Sequence, residues 1–465
     1  MKNEESLSIA HPHPKGVDLI QKTGLVVSAM GILILLVTWG GYTFQNNVLF
    51  LIISLGTIFL GTVIYAARTY LTKPAGIHNN GVWQKAFTNR GAWGWLVGIV
   101  LTGFYVLLYW YPQYLGLGQN GEANKGLVAL FDPLSQFFKG RPASQWFVYG
   151  TIYTLLICAL GVKFILKYRD NSYQVIRTIV VIAAQLFLAY LIPEILEGFT
   201  DPNHYFAKDV KNIWPLNYYF FHDCHLNNMI EHGGSLGMFY FVAGLFLFLI
   251  FTPIITYYVG KRWYCSWVCG CGGLAETAGD PYRHLSSKKL SAWKLERWMI
   301  HGVLVFVFIM TAATLYGYFT GKQEFLGLDI YTYFQQPYGF LIGAAFSGVV
   351  GVGFYPLLGN RVWCRFGCPL AAYMGIIQRF KSRFRITTNG GQCISCGNCS
   401  TYCEMGIDVR AYAQKGQNIV RASCVGCGVC SAVCPRGVLK LENGPEEGRV
   451  KDNPILIGKD SIDII

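Results

Sequence analysis

Eight long apolar stretches constrain this chain before anything else: roughly 24–44, 48–67, 92–111, 146–166, 175–193, 236–259, 300–320 and 339–358. About 20 apolar residues are needed for a helix to cross the hydrocarbon of a bilayer. A large soluble helical core would show apolar stripes with polar faces between them. These runs are apolar all round. Trp93, Trp95, Tyr109, Trp110, Tyr111, Tyr257 and Tyr258 stand at their flanks, which suits the aromatic belt of a membrane interface. The 465 residues are 53% hydrophobic and only 14% charged, against about a quarter charged in soluble domains. The expected fold class is mainly α, a polytopic membrane protein with about eight transmembrane helices.

The net charge of +13 could point to nucleic acid, but its distribution points to topology. Loops 68–91, 163–177 and 260–298 hold 4, 4 and 7 Lys/Arg, whereas 45–47, 112–145, 194–235 and 321–338 hold 0, 3, 2 and 1. Basic loops stay in the cytoplasm. Eight spans then leave both termini inside. Residues 1–23, with His11 and His13, read as a cytoplasmic tail with no cleavable signal. No nucleic-acid partner is expected.

Two cysteine quartets end the chain: Cys393-x2-Cys396-x2-Cys399-x3-Cys403, and Cys424-x2-Cys427-x2-Cys430-x3-Cys434 followed by Pro435. This is the run that holds [4Fe–4S] clusters, in which the fourth cysteine serves the other cluster. Cys393, Cys396, Cys399 and Cys434 are therefore assigned to one cluster, and Cys424, Cys427, Cys430 and Cys403 to the second. Zinc sites use C-x2-C pairs set well apart instead. The expected C-terminal unit is a small α+β bacterial-ferredoxin-like domain over 386–442, with a strap over 443–465. It lands in the cytoplasm, where thiols stay reduced.

A second motif is repeated. Gly260-Lys261-Arg262-Trp263-Tyr264-Cys265-x3-Cys269 matches Gly359-Asn360-Arg361-Val362-Trp363-Cys364-x3-Cys368, an interval of 99 residues. Repeats in membrane folds often place a site at their interface. Cysteines at i and i+4 share a helical face, so Cys265, Cys269, Cys364 and Cys368 could supply four thiolates to a further iron–sulfur cluster or metal. Cys271 is a spare that could replace one of them. Arg262 and Arg361 would offset thiolate charge. Both pairs are expected near the cytoplasmic membrane surface. A redox-active dithiol and plain packing of small apolar side chains are the alternatives.

The stretch from about 236 to 440 resembles the membrane polyferredoxins of the NapH and NosR type. Their pattern is a pair of C-x3-C-P motifs after transmembrane helices, followed by two [4Fe–4S] motifs. Cys364–Cys368 with Pro369 fits in full, whereas Gly270 and Glu404 stand where the pattern has proline. The resemblance implies a quinol-linked or accessory electron-transfer subunit in the bacterial inner membrane, within a respiratory chain. It implies a redox partner: a flavoprotein, cytochrome or reductase. It covers the transmembrane region 236–385 and the ferredoxin domain, and leaves the five helices of 24–235 unexplained.

No C-x2-C-H haem site, no phosphate-binding G-x-x-x-x-G-K-[ST] loop and no convincing dinucleotide motif occur, so no nucleotide is expected. Of nine histidines only His301 lies at a transmembrane run. Outer loop 194–235 carries Glu194, Glu197, His204, His222, Asp223, Cys224, His225, Glu231 and His232. These could bind a metal or serve protons, or form a solvated partner-docking loop. The leading function is a membrane electron-transfer protein, possible as a subunit of an oxidoreductase complex, passing electrons between a quinone pool or partner and cytoplasmic-side clusters. The alternatives are an assembly or maturation factor for an oxidase or reductase, and a redox-coupled transport module. The near absence of charge within the helices disfavours transport.

Overall fold

The computed structural model describes residues 17–72, 90–119, 121–444, 456–457 and 462–463. The tail 1–16, with His11 and His13, and most of the strap 443–465 lie outside the described residues. In chain order the principal helices are α1 (Leu19–Trp39), α2 (Asn47–Tyr70), α3 (Ala92–Trp110), α4 (Gly126–Lys139), α5 (Gln145–Lys167), α6 (Ser172–Gly198), α7 (Gly234–Val259), α8 (Gly270–Thr277), α9 (Leu290–Thr320) and α10 (Pro369–Phe380). Among the described residues seven of these are long and apolar enough to span a membrane: α1, α2, α3, α5, α6, α7 and α9. Each begins where a helix can be capped or follows a turn. Asp18 closes a capping box on α1, and Asn46, Ser144 and Asn171 cap α2, α5 and α6. The polar tail is therefore shorter than expected, since α1 starts at Leu19.

Small residues set the closest crossings. A Cβ on Gly61 would lie 2.4 Å from the Gly24 carbonyl oxygen, so α1 and α2 touch backbone to backbone, as membrane helices do where bulk is absent.

The eighth apolar stretch departs from expectation. It is helical over 331–349, turns at 350–354, and resumes only over Tyr355–Leu358. Pro356 offers no N–H to a continuing helix. Gly353 sits against α3, where a Cβ would be 2.4 Å from Thr102 Oγ1. The stretch runs back along α9, from Ile330 beside Gly317 to Arg365 beside Glu296. It is a broken helix, not an eighth regular span.

The predicted outer loop 194–235 is a folded cap. Trp214, Phe220 and Leu226 are buried, and Trp214 Nε1 donates to Thr311 Oγ1 at 3.0 Å. Glu194 and Glu197 pair with Lys139, Arg141 and Lys208.

The C-terminal unit is built on β1 (Arg385–Thr388) antiparallel to β2 (Leu439–Glu442), with Ile386 opposite Leu441. Two short helices, Asn398–Thr401 and Val429–Ala432, occupy equivalent places in its two halves. Each follows a glycine at positive φ, Gly397 at +80° and Gly428 at +76°, a conformation that glycine adopts without strain.

Candidate redox site

The repeat seen in the sequence is also a repeat of backbone. Gly260 and Gly359 both end a helix at positive φ, +70° and +98°. The N–H of Cys269 donates to the Tyr264 carbonyl at 2.7 Å, and that of Cys368 to the Trp363 carbonyl at 2.9 Å. The cysteine pairs do not share a helical face, however. Cys269 and Cys368 have extended backbones and stand as the N-caps of α8 and α10. Cys265 ends the turn Arg262–Cys265, Cys364 lies within the turn Trp363–Gly367, and the second cysteine of each pair opens the next helix. Cys368 Sγ accepts from the Ala371 N–H at 3.4 Å. A thiolate is favoured at such a helix start.

Cys265, Cys269, Cys364 and Cys368 lie in one buried cluster. They are close enough that charge on one opposes charge on the others. Cys271 hydrogen-bonds to Cys269 and packs against the same cluster. Beside this cluster, α8 packs against α5 and α6. Gly270 sits against Tyr153 and Gln185, with no room for a Cβ, which would be 2.8 Å from Tyr153 Oη and from Gln185 Oε1. Gln185 Nε2 donates to the Val268 carbonyl at 2.7 Å. Tyr153 is 14 residues from Lys167 at the end of α5, roughly 20 Å along the helix. Gly270, Gly272 and Gly273 are what let α8 enter between α5 and α6. A Cβ at Gly272 would be 2.1 Å from the Cys265 carbonyl oxygen, and one at Gly273 would be 2.7 Å from Val181 Cγ1.

In the ferredoxin unit, Cys393, Cys396, Cys399 and Cys434 line one pocket. Cys430 feels the charges of Cys427, Cys403 and Cys424. The donor sets and glycine-shaped loops fit two [4Fe–4S] clusters, each drawing its fourth thiol from the other motif. The second set faces the C-x3-C region. Ser266 Oγ donates to the Val425 carbonyl at 2.8 Å, Gln378 Nε2 to that of Cys424 at 2.7 Å, and Gln174 Nε2 to that of Cys427 at 2.9 Å. Cys396, in the first set, is exposed. The three cysteine groups are thus ordered from the solvent inward.

A buried charge hub links the last two groups. Arg361 pairs with Glu276 at 2.6 Å and with Glu404 at 2.9 Å, and its Nη1 lies 3.7 Å from Cys364 Sγ and donates to the Cys265 carbonyl. Arg283 pairs with Glu404 and Asp280, both at 2.8 Å. Arg177 pairs with Glu276, and Lys167 with Asp280. Burial alone would raise the Glu404 carboxyl, but Arg361 and Arg283 overcome it and hold it below the usual carboxylate range. Glu276, Glu404 and Cys427 bring ligand atoms within 4.8 Å of one another, yet the carboxylates are already matched by arginines. Four cations against three carboxylates leave one positive charge beside the cysteines. Sequence reasoning saw Glu404 only as a missing proline. Arg262, the repeat counterpart of Arg361, does not serve the thiols: its guanidinium lies 5.0 Å from the Phe384 ring centre.

The outer histidines do not gather at a single point. His225 is buried, with Nε2 accepting from the Ala207 N–H and Nδ1 against the Phe220 carbonyl, while His232 stacks on His204 at 3.9 Å. Among the described residues they form no metal-holding group. Cys224 is exposed, and Asn228 Nδ2 donates to its sulfur at 3.7 Å.

Residues 385–435 match the 4Fe-4S dicluster domain family. Residues 241–292 and 340–387 each match the 4Fe-4S binding domain family, and each match contains one C-x3-C pair. The chain is 27% identical over 175 residues to YccM of Escherichia coli (strain K12), named for electron transport, covering 35% of this chain and 47% of that protein. It is 30% identical over 172 residues to the methylamine utilization ferredoxin-type protein MauN of Paracoccus denitrificans (strain Pd 1222), covering 35% and 55%. MauN of Methylobacillus flagellatus is 26% identical over 160 residues, covering 33% and 53%. The chain spans about half the length of the curated relatives it matches. No solved structure matches it. It is a mainly α, polytopic protein with 4Fe-4S ferredoxin-type domains, similar to membrane polyferredoxin-like electron-transport proteins.

Proposed function

We propose that this protein passes electrons between a quinone pool or a partner redox subunit and iron–sulfur clusters held at one end of its membrane spans. The observation that carries the reading is the Arg361–Glu404 pair. It joins Cys403, in the second ferredoxin set, to Cys364, in the C-x3-C group, through a 2.9 Å ion pair and a 3.7 Å contact to sulfur. In this reading Cys393, Cys396, Cys399 and Cys434 hold one [4Fe–4S] cluster, and Cys424, Cys427, Cys430 and Cys403 the second. Cys265, Cys269, Cys364 and Cys368, with Cys271 adjacent, hold a third centre. The clusters supply one-electron chemistry when bound; the chain orders them, buries them and balances their charge.

Anaerobically purified protein is expected to contain about eight iron atoms from the two ferredoxin quartets, with more from the third centre. Cys403→Ser should disturb the EPR signal of the cluster assigned to Cys424, Cys427 and Cys430. Zinc in place of most of the iron, or an undisturbed signal in that variant, would sink the assignment.

The proposed orientation places both termini and the ferredoxin domain in the cytoplasm of a bacterial inner membrane. Reporter fusions after residues 170 and 385 should then read as cytoplasmic, and those after 125, 210 and 330 as external. A cytoplasmic reading at 210 would overturn that orientation.

A further inference from the structure

A cavity of about 670 Å³ opens where the start of α9 meets α10 and the ferredoxin domain. Ligand sites span roughly 300–1,000 Å³. Lys261, Cys364 and Arg365 contribute to its wall. Its charge is one-sided. Lys261, Lys288, Arg297, Arg379 and Arg421 all line it, and among the described residues none of the five forms an ion pair. Arg365 is already neutralised by Glu296 at 3.0 Å, so among the described lining residues Asp408 is the one carboxylate left against these five cations. Lys261 is only 2% exposed, and a buried cation without a counter-charge is costly.

Other lining residues are apolar. Leu290 is 63% exposed and Phe380 74%. Leu290 opens α9 and Phe380 closes α10. A matching ligand carries negative charge at one end and hydrocarbon at the other. An uncharged headgroup would leave five cations with only Asp408 against them, and a free anion would leave the apolar residues uncovered.

We propose that this cavity binds the phosphate-bearing head of an anionic phospholipid from the leaflet on the ferredoxin side. Because Cys364 is part of the cavity wall, the bound head would place negative charge against the C-x3-C centre. That consequence rests on the redox reading above; the binding does not.

The test uses full-length protein, stripped of lipid in neutral detergent, and titrated with phosphatidylglycerol, phosphatidylcholine or inorganic phosphate. Retained lipid is read by native mass spectrometry and stabilisation by thermal unfolding. Phosphatidylglycerol should be retained and should raise the unfolding temperature, with phosphatidylcholine and phosphate far weaker. The exposed double variant Arg297→Gln/Arg379→Gln should bind phosphatidylglycerol roughly tenfold or more weakly, given the contribution of each basic residue at an anionic surface. Equal retention of both lipids, or a double variant that binds as the parent does, would overturn the site. Phosphate acting as well as phosphatidylglycerol would overturn the lipid assignment. Iron content and EPR on the same samples separate the two readings: lipid selectivity without a C-x3-C signal would sink the redox centre and leave the lipid site standing.

Discussion

Glu404→Ala is expected to release the ferredoxin domain from the membrane-spanning body while leaving the domain able to bind iron. Glu404 is fully buried and is held by Arg283 at 2.8 Å and Arg361 at 2.9 Å. Its removal leaves Arg361 with Glu276 alone and Arg283 with Asp280 alone. Breaking one member of a buried ionic set costs about 3–5 kcal/mol, because the remaining charge stays in a poor solvent. The loss falls on docking: the arginines belong to the body, whereas Glu404 follows Cys403 in the domain. A lower unfolding temperature and faster proteolytic cutting near residue 385 should therefore accompany near-normal iron content. Glu404→Pro places at this position the residue that follows the quartet in bacterial ferredoxins. It should behave in the same way, with the domain intact and the docking weak. Unchanged unfolding temperature and proteolysis in both variants would show that the hub contributes nothing to docking.

The two quartets were legible because their chemistry is local. A tight loop must present three thiols within a few residues, and that requirement is written as spacing. The apolar runs were legible for the same reason, since a bilayer demands a length. The eighth run was misread as regular although Gly353 and Pro356 lie within it. Its break depends on how closely α3 approaches, and a run of hydropathy does not contain that. Arg262 and Arg361 are equivalent in the repeat, yet only Arg361 reaches a thiol, because Glu276 and Glu404 arrive from distant segments to hold it. Glu404 itself lies 43 residues beyond Arg361, on the other side of α10. The packing of the C-x3-C region against α5 and α6 was hidden for a related reason. Gly270, Gly272 and Gly273 look like a turn until Tyr153, Gln185 and Val181 are seen to occupy the space that side chains would have taken. Local ligand spacing survives translation into sequence, whereas the long-range packing that decides where a site sits does not.

Single serine substitutions at Cys265 and Cys364 should abolish electron transfer through the protein while leaving the two ferredoxin EPR signals largely intact. The four cysteines at 265, 269, 364 and 368 are buried together. Without a metal, four such groups are no one-electron carrier. With one, ionisation is driven by the bound cation, and the Arg361 guanidinium, 3.7 Å from Cys364 Sγ, offsets part of the resulting negative charge. The geometry separates this outcome from damage to the fold. Serine is close in size to cysteine, and neither Cys265 nor Cys364 caps a helix, so the backbone hydrogen bonds of Cys269 and Cys368 remain in place. The ferredoxin quartets are held by their own loops and by the contacts of Gln174, Gln378 and Ser266, none of which uses these two thiols. A variant that loses iron from the C-x3-C centre and loses turnover, yet keeps both ferredoxin signals and its unfolding temperature, would place that centre on the electron path. If both variants keep full metal content and full activity, the four cysteines pack the junction between α8 and α10 and carry no electrons.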